Sequence, residues 1–344
     1  MKKNKFLLVV FVLLGITTVL FVFKNKFGTI REELKDFSVK DTASITKVFL
    51  ADRYGKSITL SREANKQWLV NNKYNVRRSN ILNLLEVLYR IDVRTKVAKA
   101  AYNNVIKALS SNGIKCEIYF NNKTEPGKVI YIGGQTEDGL GTFMMLENSN
   151  SPFITQIPGF NGYLTPRFSP IEKDWREPLL FSLPESEIRS ISIDYANFPE
   201  NSFLLIANNG RYNVSSPDRT NTINHVDSIA CDNYLYQYKN VYYEDQSSMD
   251  QKKIDSIISL PSPIKIELTD VKGQKTKLDI YPVPVTGASL AMHDSTGSLS
   301  KFDVDRVYGY LQPEKLFVTI QQQNIEKLFR RRLDFDLDKN RLRH

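Results

Sequence analysis

An internal repeat constrains this chain more than any other feature. Val105, Ala108 and Leu109 are matched by Ile254, Ile257 and Ile258, so that residue 105 maps onto 254 at an offset of 149. Ile114-Lys115-Cys116-Glu117-Ile118 is matched by Ile264-Lys265-Ile266-Glu267-Leu268 at 150, and Gly162-Tyr163-Leu164-Thr165-Pro166 by Gly309-Tyr310-Leu311-Gln312-Pro313 at 147. Three matches in one order at nearly one spacing indicate duplication of a structural unit. A length of 344 residues has room for two such domains.

Each unit reads as strands, then helices, then strands. Ile45, Val48 and Leu50, then Ile58 and Leu60, then Trp68 to Val70 form short strand-like runs separated by turns at Tyr54-Gly55 and Asn71-Asn72. Ser79 is placed to cap a helix carrying Ile81, Leu84, Leu85, Leu88 and Ile91, and a second helix carries Tyr102, Val105, Ile106 and Leu109 before Gly113. Strands resume over Ile114 to Phe120, Val129 to Ile132 and Thr142 to Leu146, the last two joined by a turn at Asp138-Gly139. The expected class is α+β: an N-terminal transmembrane helix followed by two tandem lobes of antiparallel sheet packed with helices. Pro170, Pro178 and Pro184 make a stiff connector between the lobes.

Ahead of the repeat, Lys2, Lys3 and Lys5 precede an uncharged run of eighteen residues, Phe6 to Phe23, closed by Lys24 and Lys26. As a helix it would be about 27 Å long, close to the hydrocarbon thickness of a bilayer. Phe21 to Asn25 offer no small-residue cleavage site and no Cys follows, which favours an uncleaved signal anchor over a cleaved signal. The partner of this run is the lipid bilayer. The expected location is the inner membrane, single-pass, with the bulk of the chain periplasmic or otherwise extracytoplasmic. The expected organisation is a tail and anchor over 1–26, a juxtamembrane linker over 27–44, a first lobe with connector over 45–183, a second lobe over 184–320, and a basic tail over 321–344.

The formal charge of +9 concentrates at the ends. Lys2, Lys3 and Lys5 carry part of it, and residues 321–344 hold seven basic side chains, Arg330, Arg331 and Arg332 among them, against four acidic ones. Basic and acidic groups intermix elsewhere, so no nucleic-acid face is expected.

No catalytic, cofactor-binding or metal site emerges. Ser289 in Gly287-Ala288-Ser289-Leu290-Ala291 lacks the second glycine of a hydrolase elbow and a downstream triad His, and His293 lies too close. Ser44 with Lys47 and Ser298 with Lys301 lack the companion motifs of penicillin-binding enzymes. Asp334, Asp336 and Asp338 fail the EF-hand spacing, since Lys339 stands where Gly is required. Gly133, Gly134, Gly139 and Gly141 match no phosphate loop and read as turn glycines. His225 and His293 have no companion ligands at zinc spacing. Cys116, aligned with Ile266, reads as a strand core residue, and Cys231 as a helix residue; pairing between them is disfavoured. Trp175 and the cluster Tyr234, Tyr236, Tyr238, Tyr242 and Tyr243 read first as packing, with a sugar or peptide groove as the alternative.

The succession Trp68-Leu69-Val70, Ile81 to Leu88, Gly113-Ile114-Lys115, Ile132-Gly133-Gly134 and Asp174-Trp175-Arg176 resembles the bacterial domain-of-unknown-function 4340 family over most of Ile45 to Ile320. The resemblance implies a membrane-anchored envelope protein with repeated β-rich domains, some members being encoded beside ABC transporter components of the type linked to gliding motility. It implies no activity and no catalytic residues. The chain is therefore expected to be a non-enzymatic scaffold or partner-recognition component of an envelope, transport or motility-associated assembly. The alternative is a small-molecule or glycan binding module using an interlobe cleft.

Overall fold

The computed structural model describes residues 35–285, 293 and 297–341. The chain divides into a first compact unit ending at Glu177 and a second beginning at Pro178. The boundary falls inside the proline-rich connector, a few residues before the expected break at 184.

In the first unit, β1 (Ile45–Ala51), β2 (Ser57–Arg62), β3 (Trp68–Val70) and β4 (Tyr74–Asn75) are followed by α1 (Arg78–Arg90), β5 (Asp92–Lys96) and α2 (Tyr102–Asn112). Then come β6 (Ile114–Phe120), β7 (Lys128–Gln135), β8 (Thr142–Leu146) and β9 (Phe153–Gln156). They form one antiparallel sheet in the order β4-β3-β2-β1-β6-β7-β8-β9-β5.

The second unit contains β10 (Leu179–Phe181), β11 (Ile188–Tyr195), β12 (Phe203–Asn208), β13 (Arg211–Ser215), α3 (Ser228–Tyr236), β14 (Val241–Tyr242), β15 (Asp245–Gln246) and α4 (Gln251–Ile258). It continues with β16 (Ile264–Asp270), β17 (Lys275–Pro284), β18 (Phe302–Gln312), β19 (Leu316–Gln321), α5 (Gln322–Ile325) and α6 (Leu337–Arg341). Its sheet runs β13-β12-β11-β16-β17-β18-β19-β15, while β10 pairs with β14. Strand for strand this is the first sheet again, without β4.

Register makes the duplication specific. Leu50, Cys116, Ile130 and Leu146 are cross-strand neighbours in the first sheet, as are Ile193, Ile266, Leu278 and Leu311 in the second. An irregularity between Ile45 and Lys47 has its counterpart between Ile188 and Ser190. Cys116 and Ile266 are thus equivalent core positions, both buried. The match of Gly162–Pro166 to Gly309–Pro313 is not structural. Gly309 lies in β18, the counterpart of β8, whereas residues 162–166 follow β9 and enter a 3-10 turn.

Alternating apolar residues turn one face of each sheet into a core. In the first unit α1 lays Ile81, Leu84, Val87 and Leu88 against Val48, Leu50, Ile118 and Ile130. Each such side chain contributes about 1.5–3 kcal/mol on full burial. The first turn of α1 has no side-chain cap, and the Ser79 hydroxyl donates instead to Asn80. In the second unit α3 inserts Cys231, Tyr234 and Leu235 into the equivalent core.

The expected class is corrected in its balance and at its head: the antiparallel α+β sheets stand, but strand outweighs helix and no transmembrane helix heads them among the described residues. Among the described residues sheet predominates, 39% strand against 25% helix. Period-two alternation, which builds strands, governs most of the buried positions in both units. Among the described residues no helix is long and apolar enough to cross a membrane. The span expected over Phe6 to Phe23 lies outside the described residues.

Two further expectations change. Phe37 and Val39, assigned to a linker, are buried in the first core, where the Val39 amide donates to the Leu88 carbonyl at 2.7 Å and the Lys128 ammonium donates to the Asp36 and Ser38 carbonyls. The segment assigned to a basic tail places Ile325, Leu328 and Phe335 in the second core.

Candidate recognition groove

The outward face of the first sheet carries a groove of about 510 Å³ beside α2. Its floor is Ile106 and Leu109 from α2, Tyr131 from β7, Met145 from β8 and Ala51 at the end of β1, and its rim is Asp52, Arg53, Lys115 and Glu147. The helix sits there because Val105 and Leu109 pack on Tyr131, Phe143, Met145 and Ile154, a small second cluster on the far side of the sheet from α1. Gly133 permits the approach. A Cβ built on it would lie 2.9 Å from Leu109 Cδ2 and 3.0 Å from the Phe143 carbonyl oxygen. Its role is close packing rather than turning.

Ionic contacts fix the rim. Lys115 Nζ lies 2.8 Å from Glu117 Oε1 and 3.7 Å from Glu147 Oε1, and the Tyr131 hydroxyl donates to Glu147 at 3.2 Å. Tyr119 donates to Glu117 at 2.6 Å, and the Lys47 ammonium stands 3.6 Å from the centroid of the Tyr119 ring. Burial alone would raise the Glu117 carboxyl, but hydrogen bonds from Lys115 and Tyr119 outweigh it and hold the group below the ordinary carboxylate value. The hydrogen bond to Glu117 raises the Lys115 ammonium, and burial raises the Tyr131 phenol. Across the rim, Arg53 donates to the Ser110 carbonyl at 3.4 Å, and Asp52 accepts from the Tyr54 and Lys56 amides, closing the β1–β2 turn.

This arrangement holds an apolar floor open between charges of both signs. Its titratable groups are committed to one another or to the backbone, which gives fixed geometry for binding. An apolar side chain flanked by polar groups, as on a peptide or a protein surface, matches that lining.

The residues singled out in the sequence fall elsewhere. Ser44 hydrogen-bonds to Asp41, and Lys47 is engaged with Tyr119. Ser298 and Lys301 are both exposed, and Ser289 lies outside the described residues. Asp334 pairs with Arg331 and Asp338 with His225, while Asp336 accepts from the Asp338 amide. His293 bridges to Leu299. Among the described residues no group of His, Cys, Asp and Glu could hold a metal ion. Gly139 turns the β7–β8 hairpin with a positive φ. Trp175 is buried in the first core and donates to the Ser169 carbonyl. Tyr234, Tyr238 and Tyr243 are core residues, and Tyr236 and Tyr242 are exposed. Cys116 and Cys231 are free, buried thiols in separate cores, and burial pushes the Cys231 thiol up to about 12.

The groove was missed because its lining is drawn from α2, β1, β6, β7 and β8. The available signal was the alternation of Lys115 and Glu117 around inward-facing Cys116. Comparison with family models, curated proteins and solved structures finds no match to this chain.

Proposed function

We propose that the protein is a non-enzymatic partner-recognition component of a bacterial envelope assembly and that the groove beside α2 receives an apolar side chain of its protein partner. The observation that carries this reading is the apolar floor of Ile106, Tyr131 and Met145, half-exposed within a fixed ionic rim. The apolar run Phe6 to Phe23, flanked by lysines, supports attachment to the inner membrane with the folded units on its extracytoplasmic side. The sequence resemblance to the domain-of-unknown-function 4340 family supports an envelope setting and an ABC transporter or motility-associated partner.

The test is crosslinking and affinity recovery of the full-length chain from membranes, with Ile106→Glu and Met145→Lys as variants and thermal unfolding as the check on folding. A charge placed on the floor is expected to cut recovery of the partner by tenfold or more, in line with a buried interface anchor. Recovery unchanged in both folded variants, or no partner recovered with the parent chain, overturns the proposal.

A further inference from the structure

A second groove, of about 430 Å³, lies on the second unit between α3 and the segment that follows α5. Ala230, Asn233 and Gln237 line it from one side of the helix and its continuation, and Arg330, Arg331 and Asp334 from the other, above the buried rings of Tyr234 and Phe335. The backbone that carries the arginines is held from below, while both arginine side chains are exposed. Leu328 and Phe335, both buried in the core, bracket them, and Phe335 packs against Phe203 and Tyr234 with ring centroids 5.0 and 5.3 Å apart. The Tyr234 hydroxyl donates to the Leu328 carbonyl at 3.1 Å and the Tyr195 hydroxyl to the Arg330 carbonyl at 2.8 Å. Asp334 accepts from the Arg331 amide at 2.9 Å and from its guanidinium at 3.2 Å.

The charge in this groove is not balanced. Arg331 has its carboxylate partner in Asp334, but the Arg330 guanidinium has no carboxylate at ion-pair distance among the described residues. The Asn233 side-chain amide likewise has no hydrogen bond there. The recess thus offers one guanidinium without a carboxylate partner, a second bound by Asp334, and the Asn233 amide, while the Gln237 amide donates to the Asn233 carbonyl at 3.2 Å. Guanidinium forks and amide donors around a small concavity match the geometry of a phosphate group. An acidic polypeptide would need an extended track, whereas this recess has the size of a single headgroup or a small ester.

We infer that this groove binds a phosphate ester through Arg330 and Arg331, with Asn233 and Gln237 contacting the esterified part. Glycerol phosphate is a small probe of that chemistry, whose two sources are a soluble phosphate ester and an anionic phospholipid headgroup.

Titration calorimetry on the full chain in a zwitterionic detergent tests this with four probes: inorganic phosphate, glycerol 3-phosphate, a short-chain phosphatidylglycerol below its micelle concentration, and an acidic hexapeptide. Saturable binding of glycerol 3-phosphate or of the lipid is expected, tighter than binding of the peptide. Preference for the lipid assigns the headgroup, and preference for the free ester or phosphate assigns a soluble ligand. Arg330→Gln is expected to weaken that binding by about tenfold or more. Arg332→Gln, which alters a neighbouring side chain lining a different recess, is expected to leave it within about twofold. Absence of binding by every phosphate probe overturns the inference, as does a peptide that binds as tightly or an equal loss in Arg332→Gln. Thermal unfolding of each variant separates loss of the site from loss of the fold.

Discussion

The two units share one sheet topology and differ in what the outward face of that sheet carries. In the first unit the neighbours Ala51, Lys115, Tyr131 and Met145 cross that face beneath α2; in the second the same four positions hold Asp194, Lys265, Asp279 and Tyr310. Gly133, which lets α2 settle on the sheet, is replaced at the equivalent position by Tyr281, whose hydroxyl donates to the Ile258 carbonyl of α4 at 3.4 Å. One face therefore became an apolar groove and the other a charged ladder under a helix spaced by a ring. The hairpin between them diverged too. In the first unit β7 and β8 close through residues 136–141, whereas β17 and β18 run on to Pro284 and Phe302, with Leu299, Phe302 and Val304 exposed. Duplication preserved the inward positions, where volume and burial leave little latitude, and released the outward ones to specialise.

The largest expected effect falls on the second unit. Phe335→Ala should destabilise it by about 3–5 kcal/mol, because a ring packed on Phe203 and Tyr234 is lost from the core. Chemical denaturation followed by the aromatic signal checks this, and a change under about 1 kcal/mol would return residues 321–341 to the status of a free tail.

A smaller effect probes the first unit's groove. Gly133→Val should cost about 1–3 kcal/mol by pushing on Leu109 and the Phe143 carbonyl, while Gly134→Val, with nothing within 4 Å of its Cβ, should stay within about 0.5 kcal/mol. Equal costs at the two sites would show that α2 does not depend on the close approach.

The smallest effect concerns the equivalent carboxylates Glu117 and Glu267. Hydrogen bonds from Lys275, against the opposing effect of burial, and then from Lys277 hold Glu267 below its ordinary value, as those from Lys115 and Tyr119 hold Glu117. A folded-state value below the unfolded one, about 4.3, means that each contributes stability above that pH and loses it as the pH falls through the folded value. Glu117→Gln and Glu267→Gln should therefore each flatten the acid limb of the stability profile below about pH 4, by under about 1 kcal/mol. Denaturation midpoints between pH 3 and 7 measure this, and a steeper acid limb in either variant would reverse the assigned sign.

How much of this was legible follows from where the physics is local. The helix carrying Ile81, Leu84 and Leu88 and the strand around Cys116 announce themselves by spacing, since each buries one face against a neighbour. The repeat was legible where the environment is shared, in the buried Val105 and Ile254 of the equivalent helices α2 and α4 and in the strand Ile114 to Ile118. It misled where letters coincided without a shared environment, as at Gly162 and Gly309. Residues 37–39 read as linker and 325–335 as basic tail because charged neighbours mask the few buried anchors, Phe37, Val39, Leu328 and Phe335. Neither groove could be read, since each gathers residues from separate elements.

The two cysteines have a practical consequence. They are the only two in the sequence, both are buried, and burial raises both thiols, so little thiolate forms near neutral pH. Alkylating dyes and spin labels should pass the folded chain by. A single cysteine introduced on the surface of either unit, at exposed Ser110 or Asn209 for example, would then be a solitary attachment point. Two of them, one per unit, would turn the spacing of the duplicated halves into a measurable distance in the native background.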